Sequence, residues 1–71
     1  MNKVTIKAFI GWLDTAADEA IAVRRDEFLR ALMAVTSREA KADLRLGLRL
    51  IDEELMARFE VFRLSHRPHE E

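Results

Sequence analysis

Residues 37–64 read SREAKADLRLGLRLIDEELMARFEVFRL, and this stretch decides the fold. Its apolar residues recur at steps of three or four. They form one stripe, which consists of Ala40, Leu44, Leu48, Ile51, Leu55, Phe59 and Phe62. The mean step is about 3.6 residues, the period of a straight α-helix. The stretch therefore predicts one long helix over residues 38–64.

Leucines alternate with arginine or glycine from Leu44 to Leu50, a pattern that also fits a half-buried β-strand. Leu and Arg favour helices and are poor strand formers compared with Val, Ile or Tyr. The sequence on both sides has the helical period, so we predict helix here too. A second apolar face then lies roughly opposite the stripe and consists of Leu46, Leu50, Ala57, Val61 and Leu64.

A stripe with the same period runs through the first half of the chain. It consists of Ile6, Ile10, Leu13, Ala17, Ala20, Arg24, Phe28, Ala31 and Val35. This predicts a helix over residues 6–35, preceded by a frayed lead-in. Gly11 and the possible cap at Asp14 and Thr15 would permit a break, but the stripe keeps its phase, so the question stays open.

The two helices are predicted to meet at a turn near residues 36–37. At about 100° per residue, Leu44 lies roughly 200° out of phase with the first stripe. Thr36 and Glu39 also have the spacing of a capping box. Because a short connection makes helices antiparallel neighbours, we predict an all-α fold, a two-helix hairpin over residues 1–65. Pro68 and the polar residues around it predict a disordered tail over 66–71.

The small size of the chain predicts a homodimer. A domain of 71 residues buries a marginal core, and the sequence has no Cys for disulfides. Association with a second copy is the remaining source of stability, and the second apolar face would serve it. We therefore predict a two-fold dimer that forms a four-helix bundle.

Several residues are candidates for interfaces with a second copy or another protein. Phe9 and Trp12 suit binding hot spots, although they also suit the end of a bundle core. Arg24 interrupts the first stripe, and it either pairs with Glu53 or Glu54 across an interface or reaches water past an apolar stem. The full candidate set is Phe9, Trp12, Arg24, Leu46, Leu50, Val61 and Leu64.

A basic row on the second helix offers a different kind of site. Arg38, Lys41, Arg45 and Arg49 follow one another at steps of three and four, so they project from one side. Such a row can contact phosphates of a nucleic acid. The alternative is an ordinary solvated face, and the absence of interleaved aromatic residues favours that alternative.

Catalytic, cofactor and metal motifs are missing from the sequence. There is no Cys or Tyr, and both His lie in the last six residues, so Ser37 and Ser65 have no base within helical reach. His66 and His69 make a poor metal pair because Pro68 separates them and no other ligands are near. We expect no enzyme, no cofactor and no metal.

The net charge of −1 gives no overall attraction to nucleic acid or membranes, and no uncharged stretch approaches the length of a membrane span. A cytoplasmic protein without membrane contact is the expectation. We predict a non-catalytic adaptor, regulator or inhibitor that binds itself and another protein. The alternatives are a nucleic-acid-binding regulator and a subunit whose apolar faces are completed in a larger assembly.

Overall fold

The computed structural model describes residues 2–66. These residues form three α-helices and no β-strand, which confirms the predicted all-α class. Helix α1 spans Lys3–Thr15, α2 spans Asp18–Ala34, and α3 spans Arg38–Ser65. No peptide bond among these residues is cis, and none has a positive φ.

The first half of the chain contains two helices, and this corrects the prediction of one helix over residues 6–35. The helix continues through Gly11 and breaks at Ala16 and Ala17, whose ψ angles of 146° and 153° are extended. The amide of Ala16 donates to the carbonyl of Trp12 at 2.9 Å and closes the last turn of α1. The break lets α1 fold back, so that Phe9 stacks on Phe28 with ring centroids 5.6 Å apart.

Helix α1 also begins earlier than predicted, at Lys3 instead of residue 6. The side chain of Asn2 provides the reason, because its Oδ1 accepts a hydrogen bond from the amide of Thr5 at 2.8 Å. Asn is among the best residues at this capping position. The lead-in is therefore capped and helical from its third residue.

Helix α3 follows the prediction closely and includes the whole segment in which leucine and arginine alternate. Its N-cap is Ser37, whose Oγ accepts from the amide of Ala40 at 3.2 Å. The N-cap therefore lies at Ser37, one residue after the predicted position at Thr36. The helix ends at Ser65, and His66 closes it by donating its amide to the carbonyl of Phe62 at 2.8 Å. The rest of the predicted tail, 67–71, lies outside the described residues.

Helices α2 and α3 are antiparallel and form the main contact of the fold. Phe28 lies against Gly47, Arg25 pairs with Asp52, and Asp18 pairs with Arg58, so that falling residue numbers on α2 match rising numbers on α3. The predicted two-helix hairpin over residues 1–65 is therefore not confirmed, because the antiparallel pair contains only residues 18–65. Helix α1 is a third element that the prediction did not include.

The core is small and lies where the three helices meet. Leu13, Ile21 and Ile51 are its buried apolar side chains, one from each helix. The half-buried residues packed around them are Phe9, Trp12, Ala16, Phe28, Leu50 and Leu55. Ile21 does not belong to the predicted stripe, because the stripe assumes one continuous helix and the chain breaks at Ala16 and Ala17.

The molecule is elongated, with dimensions of 56 × 25 × 17 Å. Its radius of gyration is 15.0 Å, whereas a compact domain of this length has about 11 Å. Its accessible surface is 5832 Å², whereas a compact monomer of this mass exposes about 4,500 Å². The fold therefore leaves much more surface exposed than a compact domain of its size.

Candidate interaction surface

The C-terminal end of α3 extends beyond the other two helices. Helix α2 begins at Asp18, whose carboxylate lies 2.6 Å from the guanidinium of Arg58, so α2 covers α3 only up to that level. We call residues 59–65 the α3 overhang. The apolar stripe continues into it: Ile51 is fully buried, but Phe59 and Phe62 on the same stripe are 62% and 58% exposed.

The opposite side of the α3 overhang is apolar as well. Val61 and Leu64 are 64% and 59% exposed, and they lie roughly opposite Phe59 and Phe62 at about 100° per residue. The charged side chains of the overhang, Glu60 and Arg63, pair with each other at 2.8 Å. Exposed apolar side chains on two opposite sides of one helix mark an interaction surface, so this segment is the strongest candidate.

An open groove separates the α3 overhang from the end of α1. It has a volume of about 460 Å³, and its lining includes Asp14, Ala57, Val61 and Phe62. The ring of His66 stacks on Phe62 at a centroid distance of 4.0 Å, and its Nδ1 donates to the carbonyl of Phe62 at 3.0 Å. His66 thus covers part of one aromatic ring at the edge of this groove.

Arg58 joins the three helices at the base of the overhang. Its Nε donates to Glu54 at 2.8 Å, its Nη1 to Asp18 at 2.6 Å, and its Nη2 to the carbonyl oxygen of Leu13 at 2.7 Å. That carbonyl belongs to the last turn of α1, where backbone acceptors lack partners within the helix. The planar fork of arginine suits such a set of acceptors. We call this arrangement the Arg58 clasp.

The clasp also fixes the charge of its arginine. Hydrogen bonds to Glu54 and then to Asp18 raise the pKa of Arg58 above its ordinary value, against a smaller lowering by burial. The guanidinium is therefore positive throughout the working pH range.

The predicted aromatic anchors lie inside the chain's own packing. Phe9 stacks on both Trp12 and Phe28, at centroid distances of 5.7 and 5.6 Å. Both Phe9 and Trp12 are half-buried and pack against the core. Phe9 and Trp12 therefore pack at the end of the protein's own core, which was the alternative to a role as binding hot spots.

Arg24 lies over Trp12 and not beside the carboxylates proposed for it. Its guanidinium carbon is 4.8 Å from the centroid of the Trp12 ring, and its Nε is 3.1 Å from Glu27. Glu53 and Glu54 pair instead with Arg49 and Arg58 on α3 itself. The side chain of Arg24 is 42% exposed, so its stem covers apolar surface while its head reaches water.

The second apolar face of α3 is divided between two environments. Leu50 is half-buried against the core, and it lines a shallow groove with Ile10 and Leu13 of α1. Leu46 is half-buried, whereas Val61 and Leu64 are exposed. Helix α1 therefore occupies part of the face that was assigned to a second chain, and the part near the C-terminus stays uncovered.

The basic row lies on α3, and most of it is on the exposed surface. Arg38, Arg45 and Arg49 are exposed, and Lys41 is half-buried. Arg49 pairs with Glu53 at 3.1 Å, and the adjacent Asp52 pairs with Arg25 at 3.1 Å. Carboxylates therefore border the row toward the C-terminus. Within residues 2–66, no three His, Cys, Asp or Glu side chains lie close enough together to hold a metal ion.

Sequence reasoning missed Arg58 and gave Phe59 no functional role. The helical period placed Phe59 correctly on the stripe, but it could not show that α2 begins too late to cover it. A signal for Arg58 exists in its spacing from Glu54, because residues four apart are neighbours on a helix. Its partners Leu13 and Asp18 are distant in sequence and depend on the fold.

Comparison with protein-family models, with curated proteins and with solved structures finds no match for this chain. Within the described part of the chain, no helix is both long enough and apolar enough to cross a membrane.

Proposed function

We propose that this protein is a small helical interaction module that acts without catalysis, as a homodimer that binds another protein. The observation that supports the proposal best is the α3 overhang, which is apolar and exposed on opposite sides. A single partner helix covers one side of such a segment. Two contacts are therefore needed, one with a second copy and one with a different protein.

The exposed surface and small core both support association. Among the described residues, Leu13, Ile21 and Ile51 are the only large apolar side chains that are buried. Small domains with cores of this size commonly depend on oligomerisation or a partner for stability. The predicted four-helix bundle assumed two helices per chain, whereas a dimer of this three-helix chain would contain six helices.

A capture experiment tests the binding of another protein. The tagged full chain is used to retrieve proteins from an extract of the cells that produce it, as wild type and as a Val61→Gln, Leu64→Gln double variant. We expect the wild type to retain a reproducible protein that the double variant loses, because glutamine removes the apolar contact.

The matched control for this capture is Met33→Gln, since Met33 is 89% exposed on α2, away from the overhang. Met33→Gln should retain the same protein as the wild type. The proposal is wrong if all three forms retain the same proteins or none. A thermal transition of the isolated chain that lacks cooperativity would instead favour a subunit completed in a larger assembly.

Nucleic-acid binding is the second candidate, and the exposure of Arg38, Arg45 and Arg49 along one side of α3 is the observation that favours it. A gel-shift titration with duplex DNA and with RNA at low salt tests it. Binding that weakens steeply with salt and is lost in an Arg45→Ala, Arg49→Ala variant would support this candidate. If neither nucleic acid shifts at low salt, the candidate is removed.

A further inference from the structure

We infer that helix α1 is exchanged between two copies of this chain. In the exchanged dimer, Ala16 and Ala17 become helical, and α1 and α2 form one straight helix over residues 3–34. The α1 segment of each copy then packs on α2 and α3 of the other copy. The inference rests on the homodimer in the proposed function and gives that dimer a form, which uses the site that α1 already occupies within one chain.

The connection between α1 and α2 is short, and its sequence favours a helix. Only Ala16 and Ala17 separate the two helices, and alanine has the highest helix propensity of all residues. Ala17 is the N-cap of α2 and makes no side-chain capping bond. A continuous helix would satisfy the backbone groups that two helix ends leave without partners. Short connections of this kind favour the exchange of a helix between copies.

Arg58 holds the break in the single chain. Its Nη2 donates to the carbonyl oxygen of Leu13 at 2.7 Å. In a continuous helix this carbonyl accepts from the amide of Ala17, four residues later. The bond from Arg58 to Leu13 therefore belongs to the single chain alone. Its bonds to Glu54 on α3 and Asp18 on α2 do not involve α1, so exchange leaves them in place.

A straightened chain cannot pack α1 on its own α2 and α3. At about 100° per residue in one helix, Phe9 and Trp12 lie about 120° and 180° around the axis from Ile21, which packs against α3. The stacking of Phe9 on Phe28 and the burial of Leu13 are therefore lost within that chain. A second copy has the identical site on its α2 and α3, and its site restores these contacts.

Straightening also covers one side of the α3 overhang. Helix α2 begins at Asp18, level with Arg58 on α3. Because the two helices are antiparallel, a helix that continues α2 backward past this level runs alongside the overhang. Since α2 covers the apolar stripe of α3, the continuation lies on the side of Phe59 and Phe62, which belong to that stripe and are exposed in the single chain. The opposite side of the overhang stays open for a different protein.

Light scattering across a concentration series tests whether the dimer forms. Each sample is unfolded in denaturant and refolded at its final concentration, because exchange requires α1 to leave its own chain. We expect the mean mass to rise from that of one chain, 8.2 kDa, toward twice that value between low micromolar and millimolar concentration. A mass of one chain throughout the series overturns the inference.

Ala17→Pro tests whether the dimer needs a continuous helix. The φ of −68° at Ala17 is the angle that proline requires, and the extended ψ of 146° at Ala16 suits the residue before a proline. The single chain should therefore fold with Ala17→Pro, at a Tm no lower than that of the wild type. The dimer should weaken at least about a hundredfold, because proline disrupts the interior of a helix. If Ala17→Pro dimerises as readily as the wild type, the inference is wrong.

Arg58→Gln tests whether the clasp opposes exchange. It removes the bond to the carbonyl of Leu13, which only the single chain makes, so the dimer should form at a several-fold lower concentration than in the wild type. Arg49→Gln is the matched control, because Arg49 pairs with Glu53 within α3 and this pair is the same in both forms. A dimer that Arg58→Gln weakens or leaves unchanged would contradict this role of the clasp.

Cross-linking between copies tests which part of the chain is exchanged. The sequence has no Cys, so Ile10→Cys and Glu53→Cys can be introduced in separate copies. Both positions line the shallow groove between α1 and α3. The two variants, one of them tagged so that the mixed product has its own mass, are refolded together at millimolar concentration. A short bismaleimide reagent should then link Ile10→Cys of one copy to Glu53→Cys of the other.

Ile10→Cys mixed with Arg63→Cys is the control for cross-linking, because Arg63 lies about 15 Å further along α3 at 1.5 Å per residue. This pair should give little mixed product. A dimer that links Ile10→Cys to Glu53→Cys no better than to Arg63→Cys is held together elsewhere, and that result overturns the inference.

These measurements separate the inference from the proposed function. If α1 is not exchanged, the capture experiment with Val61→Gln and Leu64→Gln keeps its outcome, because neither residue belongs to α1 or its connection. If no other protein is captured, light scattering and cross-linking still report the exchange.

Discussion

The ring of Phe28 occupies the space in which a side chain at Gly47 would begin. A Cβ built on Gly47 would lie 2.9 Å from Cδ2 of the Phe28 ring, closer than side chains pack. Gly47→Ala should therefore destabilise the fold, because overpacking costs about 1–3 kcal/mol and exceeds the gain of about 0.5–1 kcal/mol in helix propensity. We expect a net loss of about 1–2 kcal/mol, measured by thermal unfolding followed by circular dichroism.

Gly11 provides the matched control, because a Cβ at that position meets nothing within 4 Å. It also lies inside a helix, on α1. Gly11→Ala should stabilise the protein by about 0.5–1 kcal/mol through helix propensity alone. Equal gains from both substitutions would show that Phe28 does not pack against Gly47 in solution.

Ala17 is the N-cap of α2, and it makes no side-chain capping bond. Ala17→Ser supplies the missing acceptor and should stabilise the protein by about 1 kcal/mol. For a domain of this size, that corresponds to an increase of about 4–8 °C in Tm.

The sign of this change distinguishes a broken helix from a continuous one. In a continuous helix over residues 6–35, Ala17→Ser would be an interior substitution and would cost up to about 0.5 kcal/mol. Ala22→Ser serves as the control, since Ala22 is exposed in the interior of α2 and should show that small loss. If both substitutions lower Tm, α1 and α2 are one helix.

Removal of the Arg58 clasp should release α1 from the other helices. Arg58→Gln loses the bonds to Glu54, Asp18 and the carbonyl of Leu13, so Tm should fall and the fluorescence of Trp12 should shift to the red. Trp12 is the only tryptophan in the sequence, so the fluorescence reports on α1 directly.

Arg49→Gln is the control for the clasp, because Arg49 makes an exposed pair with Glu53 within α3. Pairs of this kind contribute about 0.3–0.5 kcal/mol, so Tm and fluorescence should hardly change. Equal effects of Arg58→Gln and Arg49→Gln on Tm and fluorescence would contradict the role of the clasp.

The pKa of Arg58 is raised in the folded state. The stability that Arg58 contributes is therefore fully present below the ordinary pKa of arginine, and it is lost only as the pH rises through the raised value. Raising the pH from 6 to 9 should leave the clasp intact.

Phe9 should contribute to the stability of the single chain. It is half-buried between Trp12 and Phe28, so Phe9→Ala should cost about 1–3 kcal/mol, somewhat less than for a fully buried aromatic residue. The loss should be the same at all protein concentrations. Val4→Ala, at an exposed site of the same helix, should change stability by less than about 0.5 kcal/mol. A loss for Phe9→Ala that appears only at high concentration would place Phe9 in an interface.

Helix α3 could be predicted from sequence because its period, its cap and its lack of Pro agree along the whole segment. Leu44 and Leu50 lie in a helix even though the residues around them alternate like a strand, since the propensities of Leu and Arg oppose a strand. The turn before α3 was predictable for a similar reason. Phase and capping chemistry both change near Ser37.

The break between α1 and α2 could not be predicted in the same way. Ala16 and Ala17 carry no glycine or proline signal, and alanine is the best helix former. The break is stabilised by contacts that are remote in sequence, such as the bond from Arg58 to the carbonyl of Leu13, 45 residues away. The acidic Asp18 and Glu19, which suit the first turn of a helix, were the local signal that was available.

The candidate site depends on the same break. If residues 6–35 formed one helix, as the sequence predicts, that helix would match α3 in length and would leave no end of α3 exposed. Once α2 begins at Asp18, the end of α3 beyond Arg58 lies uncovered. The sequence correctly indicated that α3 has two apolar faces, but the coverage of those faces depends on helix lengths in the folded chain.

The short connection between α2 and α3 implies an order of events in folding. Only residues 35–37 separate the two helices, so the hairpin forms through contacts that are close in sequence, and such contacts form fast. Helix α1 is held by fewer contacts, among them the remote bond to Arg58. We therefore expect α1 to dock last and to open first in native-state hydrogen exchange. Each opening would expose the side of Leu50 that α1 covers, so this protein would briefly display a larger apolar surface without unfolding.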